Sequence, residues 1–417
     1  MKLKVKRFFT GALTSILSIG LLVGCADGGD KNEGAGGKTE LELFSNKSES
    51  IDTLKKLISK FEEQNPDVKI KLNAPPEAET VLKTRLTKND LPELLAIGGN
   101  ATYGELARAG VFANFEGTEM LNNIQPAYVE MLNRLVGPEK EGVFGVPYAT
   151  NANAVIYNKD MFEELGVTVP TTWDEFISVL DKIQASGQTP IYFTLKDAWT
   201  ALIPWNSVAA NVQPENFAQK KNNAETTFKE SYPEVADKML QLLNYGHKDN
   251  FGVGYGDGNT AFAKGGSAIY LQGNWAIPEI KKANPDINLG VFPMPVTNTP
   301  DNNNLVSGVD VLLTMREDMQ DNEQARKFIE FMINEENATQ YTSEQKAFSA
   351  VQGVFQEEPE FEGIRKNFEE GRLTSFPDHY YPAGMGAENL IQDFLLKKDA
   401  GKFLDKMDQE WNKAINR

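Results

Sequence analysis

GVFGVPYATNANAVIYNKDMFEELGVTVPTTWDEF, residues 142–176, is the stretch whose reading decides the fold. Val143 to Tyr148 has the character of a strand that ends at a polar break, Thr150-Asn151-Ala152-Asn153, and a second apolar run, Ala154 to Tyr157, follows at once. Lys159 to Leu165 predicts a short helix stopped at Gly166, because glycine takes the left-handed conformation that closes a helix C-terminus. Thr172 and Glu175 have the spacing of a capping box, in which each side chain satisfies a backbone N–H of the other, and so open the next helix. A strand interrupted in its middle by small polar residues predicts a chain that crosses between two bodies.

Outward from that stretch, the N-terminus has the composition of a processing signal. Lys2, Lys4, Lys6 and Arg7 precede the mostly apolar run Phe8 to Val23, and Leu21-Leu22-Val23-Gly24-Cys25 closes it. A basic start, a short apolar core and small residues before the cut mark a secretory signal peptide over residues 1–24. The run is short for a membrane span, which needs about 20 apolar residues. Removing residues 1–24 takes four positive charges and no negative ones, moving the formal net charge from −17 to −21. So acidic a chain is not expected to bind nucleic acid, which needs clustered Lys and Arg. Cys25 is the single cysteine, so no intramolecular disulfide can form. Ala26 to Lys38 carries five glycines and no branched apolar or aromatic residue. It cannot repay the entropy of ordering, so residues 25–38 are expected to be a flexible tether.

Beyond the tether, strand and helix patterns alternate. Strands are expected at Glu40–Phe44, Val68–Leu72 and Leu94–Ile97, with helices between and after them, which predicts βα units around a mainly parallel sheet. Ligands in such sheets bind beyond the carboxyl ends of the strands. The loops there carry Asn46 and Asn100. Further on, Gly252 to Gly258 is expected to be a loop, Leu289 to Val296 a proline-bearing strand that makes a second crossing, and Val309 to Thr314 a strand with Asp310 at its start.

Catalytic chemistry finds little support. His247 and His379 stand far apart without partner spacing and are expected at the surface. Zinc has no His/Cys set, and no glycine pattern fits a nucleotide loop. Calcium, which needs only carboxylates and carbonyls, stays open, although no EF-hand loop is present. No catalytic residue, metal or cofactor is assigned. What the strand ends do carry is amides and aromatics. Sugars present apolar C–H faces and a hydroxyl rim, and so want flat rings and Asn, Asp or Glu. Trp275 follows a Gly-Asn turn at a helix start, a place from which a side chain can project into a cleft. Trp199 and Trp205 lie on different faces of one expected helix, so one of them belongs to the core.

Five segments carry a resemblance to the extracellular solute-binding proteins of ABC transporters, the sugar-binding group that includes maltose-binding protein. They are the residue 142–176 run, PELLAIGGNATYGELARAGVFANF at 92–115, TAFAKGGSAIYLQGNWA at 260–276, LGVFPMP with SGVDVLL at 289–313, and QARKFIEFMIN at 324–334. Leu-x-x-Gly-Cys resembles the lipobox, which implies lipidation at Cys25 and anchoring on the extracytoplasmic face of a bacterial cell membrane. The resemblance implies a two-lobed α/β fold of the periplasmic-binding-protein kind (type II), with the ligand cleft between lobes. The N-terminal lobe would comprise residues 39–150 and 292–333, the C-terminal lobe 151–291 and 334–417. Carried over by position, sugar contacts fall on Asn46, Asn100, Asn151, Trp199, Trp275 and Asp310, with Trp275 as the main stacking platform. Asparagine at positions 100 and 151 departs from the acidic contacts of maltose-binding protein and points away from maltose. The function implied is capture of an oligosaccharide and its delivery to permease subunits by a monomeric, non-enzymatic lipoprotein. The alternatives are a binder of a non-sugar small solute and a secreted glycoside hydrolase.

Overall fold

The computed structural model describes residues 38–416 apart from 48–49, 76–77 and 383. The signal peptide, Cys25 and nearly all of the tether lie outside the described residues. Ten strands make one sheet: β1 (Thr39–Ser45), β2 (Val68–Asn73), β3 (Leu94–Ile97), β4 (Val146–Asn158), β5 (Ile191–Tyr192), β6 (Ile269–Gly273), β7 (Leu289–Phe292), β8 (Leu305–Met315), β9 (Phe348–Ser349) and β10 (Leu373–Thr374). The order along the sheet is β2-β1-β3-β8-β4-β6-β5, with β10 beside β8 and both β7 and β9 beside β4. β1 runs parallel to β2 and β3, as the βα pattern predicts.

Local chemistry explains the first units. β1 alternates exposed Glu40 with buried Leu41, and the helix Ile51–Gln64 places Leu54, Leu57, Ile58 and Phe61 on one buried stripe. Phe61 meets Phe328 edge to face at 5.1 Å, joining the first helix to one almost 270 positions later. The capping box on the helix Trp173–Ala185 forms as expected, with Thr172 accepting from the Glu175 N–H. Gly166 follows the helix Lys159–Glu164 at φ +57°.

β4 differs from expectation. It is one unbroken strand of 13 residues with irregular register at Pro147–Thr150. What changes along it is its neighbours. Thr150, Asn151 and Ala152 pair with Val309, Gly308 and Ser307 of β8, whereas Asn153 pairs with Gly273 of β6. Cores change at the same place. Val146, Tyr148 and Ala149 pack into a core built from residues 41–149 and 309–354, while Ala152 to Ile156 pack into cores built from later segments. Distant groups satisfy part of the polarity of this buried strand, although Asn151 Oδ1 and Asn153 Oδ1 have no protein partner. Thr150 donates to the Tyr128 hydroxyl at 3.2 Å, and Asn153 Nδ2 donates to the Ile203 carbonyl at 3.0 Å.

Three other expectations are corrected. Leu289–Phe292 makes no second crossing, for it pairs with Val155–Asn158 at the far end of β4. The return crossing is β8, which reaches from Leu373 at its start to Leu94 at its end. The glycine-rich segment 252–258 is not all loop, because Tyr255–Ala263 is helical and Tyr255 N–H is held by Asp197 Oδ2 at 2.7 Å. Residues 334–354, expected with the C-terminal lobe, supply Ala338, Tyr341, Ala347, Ala350, Val351 and Val354 to the first core. Ala149 and Thr150 pair with β9, which carries a third segment of chain past the same point.

Gly104 sits inside the helix Ala101–Arg108, where alanine would be the better helix former. A Cβ there would stand 2.2 Å from the Leu135 carbonyl oxygen, at the end of the helix Pro126–Val136. The close approach outweighs the propensity gain of about 1 kcal/mol. Gly104→Ala is expected to lower the thermal unfolding midpoint, and a raised midpoint would show that these helices can separate.

Candidate functional site

The parallel strands β1 and β3 both end at one edge, and each ends in an amide. Asn46 follows β1, and Asn100 caps the helix Ala101–Arg108, its Oδ1 accepting from the Tyr103 N–H at 3.2 Å. β8 runs antiparallel to β3 with Ile97 opposite Leu312, so Asp310 lies just past the end of β3. β4 brings Asn151 to the same level, opposite Gly308. Asn46, Asn100 and Asp310 converge on Gly98. A Cβ there would be 3.6 Å from the Asp310 carbonyl oxygen, 3.7 Å from Asn46 Nδ2 and 4.0 Å from Asn100 Nδ2. Gly98, Asn46 and Asn100 line a recess floored by Phe44, Ile97 and Tyr103.

Asp310 is the electrostatic centre of this cluster. Its Oδ1 accepts from Lys47 Nζ at 2.6 Å and from Asn151 Nδ2 at 3.0 Å. Asn151 is thereby turned so that its Oδ1 is buried without a protein partner, and Asn46 Oδ1 is buried likewise. A buried amide oxygen left unpaired is costly, and Asn153 Oδ1, two residues further along β4, shares that condition, so donors supplied from outside the chain would relieve all three. The turning-residue role of Asn100 is realised in its cap.

Trp275 stands beside the same crossing. Its ring covers Gly273, where a Cβ would sit 2.0 Å from Cζ3, and the indole is half-buried. Gly273 is in register with Asn153, which links this ring to the middle of β4. Trp199 is 38 % exposed and its ring partner is Tyr255, edge to face at 5.0 Å. Trp205 is the core member of that pair, fully buried with Nε1 donating to the Tyr381 hydroxyl at 3.0 Å. The structure therefore brings Asn46, Asn100, Asn151 and Asp310 together and sets Trp275 at the neighbouring strand end. Trp199 belongs to a separate aromatic pair.

Several neighbours escape a reading of sequence. Lys47 adjoins Asn46 in the loop, yet nothing local announces a partner 263 positions away. Gly308 is overlain by Phe376 and His379, whose atoms would stand 2.5 and 3.5 Å from a Cβ there. Neither histidine is simply at the surface. Both are half-buried, His379 against the Phe376 ring at 4.8 Å and His247 stacked on Tyr192 at 4.0 Å with Nε2 2.8 Å from the Phe193 carbonyl.

Beneath the crossing runs a buried hydroxyl relay. Thr150 donates to Tyr128, Tyr128 lies 3.0 Å from Ser307 Oγ, and Ser307 donates to the Asn151 carbonyl at 2.7 Å. Ser307 has one proton, so Tyr128 must donate to it. Burial pushes the Tyr128 phenol up to about 12, so it keeps that proton at neutral pH.

Residues 47–339 match the bacterial extracellular solute-binding protein family, and the chain belongs to that family. It is 31% identical over 327 residues to the multiple sugar-binding protein of Streptococcus mutans, covering 76% of each chain. It is 24% identical over 352 residues to the melibiose/raffinose/stachyose-binding protein MelE of Bacillus subtilis, covering 81% of this chain and 79% of that one. Among solved structures, apo RafE from Streptococcus pneumoniae superposes with a TM-score of 0.77 at 26% identity, over 92% of this chain and 99% of that one. RafE in complex with raffinose gives 0.73 at 25% identity, over 90% and 100%. These likenesses make the fold a two-lobed solute-binding one, and the family is one of binding proteins rather than enzymes.

Tyr128→Phe leaves Thr150 without its acceptor and Ser307 without its donor. A loss of about 1–3 kcal/mol in unfolding free energy is expected, since buried polar groups would be stranded. Chemical denaturation measures it, and an unchanged midpoint would mean that the relay is replaced by water.

Proposed function

We propose that this chain is the substrate-binding component of an ABC importer and captures an oligosaccharide of the raffinose type between its two lobes. The observation that carries the proposal is the set of buried amide oxygens without a protein partner, Asn46 Oδ1 after β1 and Asn151 Oδ1 and Asn153 Oδ1 within β4, with the Asp310–Lys47 pair holding Asn151 and the Trp275 ring over Gly273, the residue in register with Asn153. Sugar hydroxyls supply the missing donors, and Trp275 covers an apolar sugar face. Asn100 Nδ2 and Asp310 serve the hydroxyl rim, and Trp199 with Tyr255 offers a second aromatic surface for a longer chain. The similarity to proteins named for raffinose, stachyose and melibiose supports this ligand class.

The mechanism is a shift between open and closed lobes. A ligand that touches both lobes only when they close stabilises that state by its difference in affinity for the two. No bond is broken. Core packing supports a first lobe of residues 39–150 and about 309–354, and a second lobe from the remainder, joined through β4, β8 and the segment before β9. The lipobox at Cys25 supports a lipid anchor on the outer face of the cell membrane, with residues 25–38 as a tether and permease subunits as the docking partner. The protein acts as a monomer.

Thermal unfolding with raffinose, stachyose and melibiose tests the ligand class. A ligand bound by the native state alone adds RT ln(1 + [L]/Kd), about 2.7 kcal/mol at a hundredfold excess over Kd. A raised midpoint with unaltered sugar is expected, and Trp275→Ala is expected to abolish the shift while keeping the apo midpoint within a few degrees. No shift with any of the three would remove the raffinose-type assignment, and release of shorter sugars would show an enzyme. In a bacterial host, Cys25→Ser is expected to move the protein from the membrane fraction to the soluble one, and a variant that stays in the membrane fraction would overturn the anchor.

A further inference from the structure

We infer that Asn274 is a positioning residue that ties the sugar platform at Trp275 to two of the chain segments passing between the lobes. The inference rests on the reading of Trp275 as that platform.

Asn274 is buried, 3 % exposed, at the point where β4 exchanges β8 for β6. Its side chain and backbone both bind Ala152. Oδ1 accepts from the Ala152 N–H at 2.8 Å, and the Asn274 N–H donates to the Ala152 carbonyl at 3.2 Å. The side chain therefore extends the sheet pairing by one residue at the change of neighbours. The remaining amide group reaches a third segment, with Nδ2 donating to the Lys346 carbonyl at 2.7 Å. Lys346 ends the helix Glu335–Gln345 in the left-handed conformation, φ +51°, immediately before β9. A non-glycine residue held there is an uncommon conformation that needs support from its surroundings. Its side chain is tied down by an ion pair with Glu358.

Trp275 is the next residue along the chain. Its ring lies over Gly273, where any Cβ would collide with it, so the turn is gripped on both sides of the indole. Asparagine alone among the small side chains offers both an acceptor for Ala152 and a donor for Lys346 in one planar group. β4 and the Lys346 segment are joined through this amide in addition to their direct pairing at β9. The orientation of Trp275 is thus coupled to the relative placement of those two segments.

Asn274→Asp keeps the shape and the acceptor but sets a carboxylate oxygen against the Lys346 carbonyl. The chain has five tryptophans, and 5-fluorotryptophan labelling gives each a fluorine resonance, with that of Trp275 assigned by Trp275→Phe. In the ligand-free full chain, N274D is expected to shift or broaden the Trp275 resonance and leave the other four in place. With raffinose as the probe, its dissociation constant is expected to rise at least tenfold, and N274D should add nothing further in the Trp275→Ala background. An unmoved Trp275 resonance overturns the inference, as does a disturbance shared by all five, which would mean a general structural role. If N274D does not fold, Asn274→Ser, which removes the reach to Lys346 without adding charge, is read in the same way. Should Trp275→Ala leave raffinose binding intact while N274D moves the Trp275 resonance, the platform reading falls and the positioning role stands. The resonance needs no sugar, so it decides the positioning role whichever sugar is the ligand.

Discussion

The structure depends on keeping a polar segment alive inside a buried strand. Thr150 to Asn153 lie in the middle of β4, between cores on either side, and each polar group there must find a partner or carry a desolvation cost of about 1–3 kcal/mol. Tyr128, Ser307, Asp310, Ile203 and Asn274 provide those partners. They come from helices, strands and a turn spread between positions 128 and 310. With them in place, β4 can run unbroken from one lobe into the other, and β8 and the segment before β9 can pass beside it. An apolar strand would be easier to bury. It could not present an amide to a ligand at the crossing itself.

The same arrangement explains where the unpaired atoms lie. Asp310 accepts from both Lys47 and Asn151 through one oxygen, which neutralises a carboxylate near buried surface and fixes the Asn151 amide. The cost of leaving Asn151 Oδ1 and Asn46 Oδ1 unpaired is met by the rest of the fold. A ligand that supplied donors there would recover it. Under the proposed function, these oxygens would meet the hydroxyl rim of a sugar and the half-buried indole over Gly273 an apolar face.

Much of the architecture was legible from local chemistry. The alternation of β1, the stripe Leu54-Leu57-Ile58-Phe61, the Thr172–Glu175 capping box and the Gly166 stop are short-range patterns, and each appears where the pattern places it. The amides after β1 and β3 were legible as site candidates because strand ends of parallel units gather at one edge. Other readings went astray where the deciding contact is distant. Thr150 to Asn153 read as a break because their satisfying groups are invisible in a linear window. Residues 289–296 read as a crossing, although β7 is the edge piece on β4 that the prolines of that run point to. Residues 334–354 gave no sign of returning to the first core.

Sequence by itself determined the class of fold, the family, the acidic exterior and the set of residue types from which a sugar site could be made, because these follow from composition, periodicity and short motifs. The tertiary structure alone decided which of those residues meet. It placed Asn46, Asn100 and Asp310 around Gly98, tied Asn151 to Asp310, recruited Lys47, paired Trp199 with Tyr255, and bonded Asn274 to both Ala152 and Lys346. The physical reason is that hydrogen bonds between groups 72 to 263 positions apart are specified by packing, which no local pattern encodes.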